Sequence, residues 1–425
     1  MLLEFEVENF RSFAQPVTFS MIATSDKSHQ DRLINIEGSK DRTIRSASIY
    51  GANASGKSNL IMAMGLLQSM VLRSHLAQMG EAMPFMPFKF DKAFKGKPTC
   101  YRVAFLMDGI EYEYILKHDA THVLEESLNY YPKNRKAIIF ERIDGHPYKF
   151  TQDAGTLRSI AEKTLTNALF LSKAVQDNYG KAIPAFNWFR ERLMVILDIN
   201  SIVVEERALA RMQQDDRFRA FVLGALKKAD MGIVDLRGKV VHMDQDELGR
   251  MPPEVQEQMR SIVNGKIEQW RRVDIKTVHQ VIDEHGAPIQ QEMDFHGEES
   301  LGTQKTFAVI ALIIEAMEAG KVLVMDEMDL HLHLLIARFT IDVINDPKQN
   351  PKNAQFVFTT HNTNLIDLDL FRRDQIWFME KDEQGRTHMY SLSDFKVRKD
   401  LRAQKAYELG RFGAVPFVEG GRIVE

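Results

Sequence analysis

A chain of 425 residues, 44% hydrophobic and 27% charged, has ample material for a soluble globular protein of two or three domains, or one large domain with an insertion. The formal net charge of −4 gives no overall attraction to nucleic acid or an anionic membrane, so either contact would need a local basic patch. A single cysteine, Cys100, excludes an intramolecular disulfide and a cysteine-based metal site, which suits a reducing cytosol.

The first ~120 residues read as strand-rich. "LLEFEVENF" alternates apolar and polar positions like a half-buried strand. Its acids Glu4, Glu6 and Glu8 stand where a signal peptide has a basic start. "TIRSASIYG" is a short strand ending in glycine, and "NLIMAMGLLQSMVL" an apolar helix. "YRVAFLMDGIEYEYILKHD" predicts a hairpin turning at Asp108–Gly109, with further antiparallel strands at "HVLEESLNYYP" and "KAIIFERIDG".

Between residues 151 and 275 the period becomes helical, in "SIAEKTLTNALFLSKAV", "DDRFRAFVLGALKKADMG" and "PPEVQEQMRSIVNGKIEQWRRV". No heptad repeat runs long enough for a coiled-coil arm. The basic "QWRRVDIK" is a candidate nucleic-acid contact, against the plainer reading of a solvated helix end. Strands return in "DIKTVHQVIDEHG" and "PIQQEMDF", followed by the polar loop "EESLGTQKT" opening a helix. Then come the strand "KVLVMDE", the helix "LLIARFTIDVIND", the strand "QFVFTTH", the hairpin "QIWFMEKDEQGRTHMYSL" and a short helical tail. The apolar stretch Phe307 to Met325 is broken by Glu315, Glu318, Gly320 and Lys321, so it predicts a buried helix and strand, with no membrane span. The expected plan is one α/β nucleotide-binding fold split by a helical insertion, with the divisions 1–150, 151–275 and 276–425. A cytoplasmic location is expected.

"GANASGKS", Gly51 to Ser58, satisfies G-x-x-x-x-G-K-[ST] between a strand and a helix. Gly51 and Gly56 let the backbone curl until its N–H groups point at a phosphate. Lys57 sets a charge between the β- and γ-phosphates of ATP, and Ser58 offers a hydroxyl to Mg²⁺. Asn53, Ala54, Ser55 and Asn59 complete the cradle. In "VLVMDEMD" a buried strand, Val322 to Met325, ends in two acids. Asp326 is the candidate Mg²⁺ ligand and Glu327 the candidate general base, a role whose removal usually costs ~10²–10⁴ in rate. His361, ending "FVFTTH", is placed to hydrogen-bond the γ-phosphate. Ser300, Gly302 and Thr303 open a second anion-binding helix start.

The order phosphate loop, S-x-G-T loop, D-E strand, T-H strand resembles the ABC-type ATPase heads of the RecF, SMC and OLD-like group. "NFRSF", "YGANASGKSNL", "ESLGTQK", "DEMDLHLH", "THNTNLID" and the tail "VRKDLRAQKAYELGRFGAVPFV" are more closely similar to the AAA15/AAA21-type ATPases of bacterial anti-phage systems, most nearly the ATPase subunit of the PARIS system. This resemblance covers roughly 1–120 and 275–425 and implies an ABC-type head. It implies that Arg11 and Ser12 lie near the phosphates, and that Ser300, Gly302 and Thr303 of one copy close over ATP held by a second. The expected assembly is thus a homo-oligomer, at least a head-to-tail dimer, with higher rings open. Thr303 departs from the second glycine of the transporter signature. His331 and His333 fall where the family's D-loop crosses the subunit interface, and packing there is preferred to a metal reading.

After His361 too little chain follows for a nuclease domain. The resemblance therefore implies a separate effector, a TOPRIM-type nuclease, an abortive-infection setting, and a phage-encoded protein as trigger. The alternative is a RecF-like DNA-repair ATPase that clamps DNA in its ATP-bound dimer.

Overall fold

The computed structural model describes residues 1–199, 202–229, 231–242, 271–396 and 402–416. The chain divides into two compact units. The first comprises Met1–Leu197, Ala316–Leu330 and Ala337–Glu425; the second comprises Asp198–Glu315 and His331–Ile336.

The first unit holds two six-stranded sheets. One is antiparallel, in the order β2-β1-β6-β7-β8-β9. Its strands are β1 (Leu2–Glu8), β2 (Val17–Ser20), β6 (Thr99–Met107), β7 (Ile110–His118), β8 (Val123–Tyr130) and β9 (Ala137–Ile143). β1 buries Phe5 and Val7 and leaves Glu4, Glu6 and Glu8 half-buried, as its alternation dictates. The β6–β7 turn falls at Asp108 (φ 51°) and Gly109 (φ 77°), the two left-handed residues that a two-residue hairpin needs. A two-stranded ladder, β3 (Ile34–Asn35) with β4 (Arg42–Thr43), lies earlier in the chain.

The other sheet runs β10-β14-β15-β5-β16-β17. It comprises β10 (Leu193–Ile196), β14 (Val322–Met325), β15 (Gln355–Thr359), β5 (Ser46–Tyr50), β16 (Ile376–Lys381) and β17 (Thr387–Ser391). The first five are parallel, and β17 returns antiparallel at the edge. β5, β14 and β15 are buried throughout, so they read as continuous apolar or small-residue runs. Parallel pairing brings the carboxyl ends of all five strands to one edge, the usual place for a ligand in an α/β sheet.

Gln355 joins the two sheets. Its amide accepts from the Leu2 N–H at 2.6 Å and donates to the Leu2 carbonyl at 3.0 Å. The helix α1 (Lys57–Arg73) buries Leu60, Ile61, Met64 and Leu67 in a core shared with both sheets. Trp188 stacks on Phe105 with ring centroids 4.3 Å apart, tying the following helical segment to the antiparallel sheet.

The segment read as one helix around "SIAEKTLTNALFLSKAV" is two, α2 (Ala154–Ala161) and α3 (Phe170–Gln176). Distant side chains interrupt it. Arg142 donates to the carbonyls of Thr166 and Ala168, and the buried Glu126 takes the N–H groups of Phe170 and Leu171. A third helix, α4 (Ile183–Asn187), precedes β10. Because β10 pairs in parallel with β14, residues up to Leu197 belong with the core sheet, and the units divide there instead of at 150/151.

The second unit is not wholly helical. It packs α5 (Ile202–Gln214), α6 (Asp216–Lys228) and the start of α7 (Leu301–Ala319) on an antiparallel sheet. That sheet comprises β11 (Ile233–His242), β12 (Arg271–Ile282) and β13 (Pro288–Asp294). Asp215 caps α6 by accepting from the N–H groups of Arg217 and Phe218. At Gly238 a Cβ would stand 2.8 Å from Leu209, so α5 lies tight on β11. The expected helix "PPEVQEQMRSIVNGKIEQW" lies outside the described residues, and Arg271 and Arg272 begin β12 and are not a helix end. Among the described residues two further α-helices follow, α8 (Leu334–Asn345) and α9 (Ala403–Glu408). Among the described residues no helix is long and apolar enough to cross a membrane.

Candidate functional site

The loop Gly51–Gly56 leaves β5 at the carboxyl edge of the parallel sheet and enters α1. Two of its glycines are dictated by space. A Cβ at Gly51 would stand 2.2 Å from the Met379 carbonyl oxygen; at Gly56, where φ is 114°, it would stand 2.5 Å from Thr387 Oγ1 and 2.9 Å from Ser12 Oγ. The helix begins without a side-chain cap, so its first N–H groups face the loop.

Asn53, Ala54, Ser55, Gly56, Lys57, Ser58 and Asn59 line a cleft of about 530 Å³ together with Glu327, His361 and Lys381. That volume is ordinary for a small-molecule site. The three distant residues come from the ends of β14, β15 and β16. Lys57 is only 5% exposed, and its Nζ donates to the carbonyls of Gly51 at 2.8 Å and Ala52 at 3.2 Å. Burial lowers its pKa to about 8, against the opposing pull of Asp326 and Glu327. The His361 imidazole is likewise pushed below its ordinary range, by burial and then by the Lys57 charge.

The acids are held by a threonine. Thr359 Oγ1 donates to Asp326 Oδ1 at 2.5 Å and accepts the Glu327 N–H at 2.8 Å. Asp326 stands behind Glu327 and off the cleft lining, near enough to act on the Lys57 charge. Ser12 also lies behind the lining, under the loop. It accepts from Asn59 Nδ2 at 2.8 Å and lies 2.8 Å from Thr387 Oγ1, which in turn reaches the Ser55 carbonyl at 2.7 Å. Arg11 is exposed at φ 50°, its N–H donating to the Met86 carbonyl, and it is not part of the lining.

Ser300, Gly302 and Thr303 lie in the second unit, at the start of α7. Ser300 Oγ accepts the Thr303 N–H at 3.1 Å, a helix N-cap. The preceding Glu299 is pinned by Thr277 Oγ1 and His279 Nε2, each at 2.6 Å. A Cβ at Gly302 would stand 3.0 Å from the His331 carbonyl oxygen, so the backbone at His331 lies against the loop. Among the described residues no cluster of three or more His, Cys, Asp or Glu side chains is arranged to hold a metal, His331 and His333 included.

The sequence profile of one family, described as "AAA domain, putative AbiEii toxin, Type IV TA system", matches residues 46–367, well over half of the chain. The chain belongs to this AAA_21 family. The AAA_21 match begins at β5 and ends beyond His361, so it spans the phosphate loop, the paired acids and the imidazole. Its mixed α/β architecture is consistent with an AAA/ABC-type ATPase fold. No curated protein matches the chain by sequence.

The residues fit a magnesium nucleotide. Gly51 and Gly56 let the loop lie close on Met379, Thr387 and Ser12 beneath it, so its backbone curls around a cleft in which the Lys57 amine is buried. Ser58 and Asp326 are the residues that would hold Mg²⁺, whose chemistry there is to neutralise phosphate charge. Reading the sequence alone missed Lys381, Thr359 and Thr387. Asking which residue ends the last parallel strand, "QIWFMEK", finds the first of them.

Proposed function

We propose that this chain is an ABC-type ATPase that binds Mg-ATP in the Lys57 cleft, hydrolyses it slowly and assembles with itself through the nucleotide. The observation that carries the reading is the convergence of Lys57, Glu327 and His361 on one cleft from three separate strand ends. In this reading Lys57 offsets the charge of the phosphates, and Glu327 accepts the proton of the attacking water. Neutral His361 donates a hydrogen bond to the γ-phosphate.

The assembly part rests on the loop Ser300–Thr303. Its Ser300 cap leaves the N–H of Leu301 and Gly302 for an anion, and in this reading, as the resemblance to ABC-type heads implies, that anion is a second copy's ATP. A nucleotide that is fully bound only between copies stabilises their association. The membership in AAA_21, with its toxin–antitoxin description, supports an abortive-infection setting. The resemblance to the PARIS ATPase subunit supports a separate TOPRIM-type nuclease as the controlled effector and a phage protein as trigger.

The test is phosphate release from Mg-ATP together with nucleotide titration. Lys57→Ala is expected to abolish binding, and Glu327→Gln to retain binding while turnover falls ~10²–10⁴-fold. Turnover unchanged in Glu327→Gln contradicts the assignment of the base.

A further inference from the structure

Lys381 ends β16 and lines the cleft, yet none of the roles above uses it. Its surroundings do not neutralise it. The flanking Glu380 accepts the Ala414 N–H at 2.8 Å. The other neighbour, Asp382, is occupied by the N–H groups of Gln384 and Arg386 and by His388 Nε2. Lys381 itself makes no ion pair among the described residues. An exposed cation beside a second cation, Lys57, raises the positive potential of the cleft and favours an anion there.

The strand order fixes which anion. β5, which delivers the phosphate loop, lies between β15 on one side and β16 on the other. Glu327 and His361 follow β14 and β15, so the phosphate that is cleaved lies on that side. The rest of the nucleotide then extends toward β16. The hairpin that carries Lys381 is stitched to the loop: Thr387 pairs with Lys381 in the ladder, its N–H donates to the Ser12 carbonyl at 2.8 Å, and its hydroxyl reaches Ser55 O. Lys381 is therefore held in register with the cradle, and its long side chain has no competing ion pair among the described residues.

We infer that Lys381 is a nucleotide-binding residue that contacts the α-phosphate side of the bound nucleotide, away from the bond that breaks. This rests on the nucleotide reading of the cleft and adds which part of the ligand β16 holds. A contact on that side is shared by ATP and ADP, whereas a γ-phosphate contact favours ATP alone.

Calorimetric titration of the full chain with Mg-ADP and Mg-ATP tests it, using wild type, Lys381→Ala, Lys381→Arg and Lys57→Ala. Lys381→Ala is expected to weaken both nucleotides about tenfold and equally, the loss of one charge-assisted contact. Lys381→Arg should recover most of that loss. Unchanged ADP affinity in Lys381→Ala, or a loss confined to ATP, overturns the inference while leaving the cleft a nucleotide site. Wild type that binds neither nucleotide, or Lys57→Ala that binds both normally, overturns the nucleotide reading itself.

Discussion

The hydroxyl of Thr359 donates to Asp326 Oδ1 at 2.5 Å while accepting the backbone N–H of the next residue, Glu327, at 2.8 Å. One fully buried side chain on β15 therefore sets both acids at the end of β14. It also holds Glu327 in the left-handed region at φ 46°, a conformation that costs on the order of 1–3 kcal/mol for a residue with a Cβ. Thr359→Val keeps the shape and removes both bonds. Turnover is expected to fall ~10–100-fold, and melting to drop by a few degrees as the Asp326 oxygen loses its donor. Thr359→Ser should restore most of the rate, and steady-state kinetics on the pair decides it.

The loop glycine gives the second expectation. Gly56→Ala meets both a φ of 114° and a contact of 2.5 Å with Thr387. Trimming the obstacle with Thr387→Ala removes that contact but leaves the 2.9 Å approach to Ser12 Oγ and the dihedral strain. The double variant should therefore recover only part of the nucleotide affinity lost in Gly56→Ala. Full recovery in a titration would assign the whole requirement for glycine to the Thr387 contact.

The third concerns pH. Lys57 has its pKa lowered by burial to about 8, from 10.5. Bound phosphates favour the charged amine, so nucleotide binding takes up a proton above pH 8 and affinity falls by up to tenfold per pH unit. The same shift acts on folding with the opposite sign. Between pH 8 and about 10.5 the unfolded chain holds the proton that the native Lys57 has lost, so this group's contribution to stability rises with pH. ADP titration and thermal melting across pH 7–10 should move in opposite directions in the wild type, and Lys57→Ala, which no longer binds nucleotide, should remove the melting trend.

A fourth expectation isolates the α7 loop. Glu299 takes hydrogen bonds from Thr277 and His279, so Glu299→Ala should loosen the Ser300 cap without touching the cleft. Nucleotide affinity of the monomer should stay as in wild type, while the ATP concentration needed for assembly rises several-fold. Light scattering against ATP concentration reads this directly. A change in monomer affinity instead would mean that the loop acts within its own chain.

The sequence was informative where chemistry and backbone demand coincide locally. The Gly51–Ser58 pattern, the buried run ending at Asp326 and Glu327, and the Asp108–Gly109 turn each carry their own signal. Of the strands that the sequence left unread, two show why. β10, "LMVI", is four apolar residues among helices, and only its pairing with β14 makes it a strand. β11 carries Gly238, whose Cβ would stand 2.7 Å from the Asp274 carbonyl oxygen of β12 and 2.8 Å from Leu209, a requirement unremarkable as a letter. The break between α2 and α3 was invisible because its causes, Arg142 and Glu126, come from β9 and β8. Thr359, Thr387 and Lys381 matter only through strand order, which side-chain periodicity does not encode.

In the proposed assembly, ATP joins copies of this chain through the Ser300 loop. The direct measurement is the solution mass of Glu327→Gln by light scattering, with and without Mg-ATP, beside the same variant carrying Ser300→Arg. The account predicts an oligomer that forms or locks with ATP and is lost with Ser300→Arg, while ATP binding persists. A mass that stays monomeric with ATP bound would contradict it and leave Ser300 as a helix cap alone.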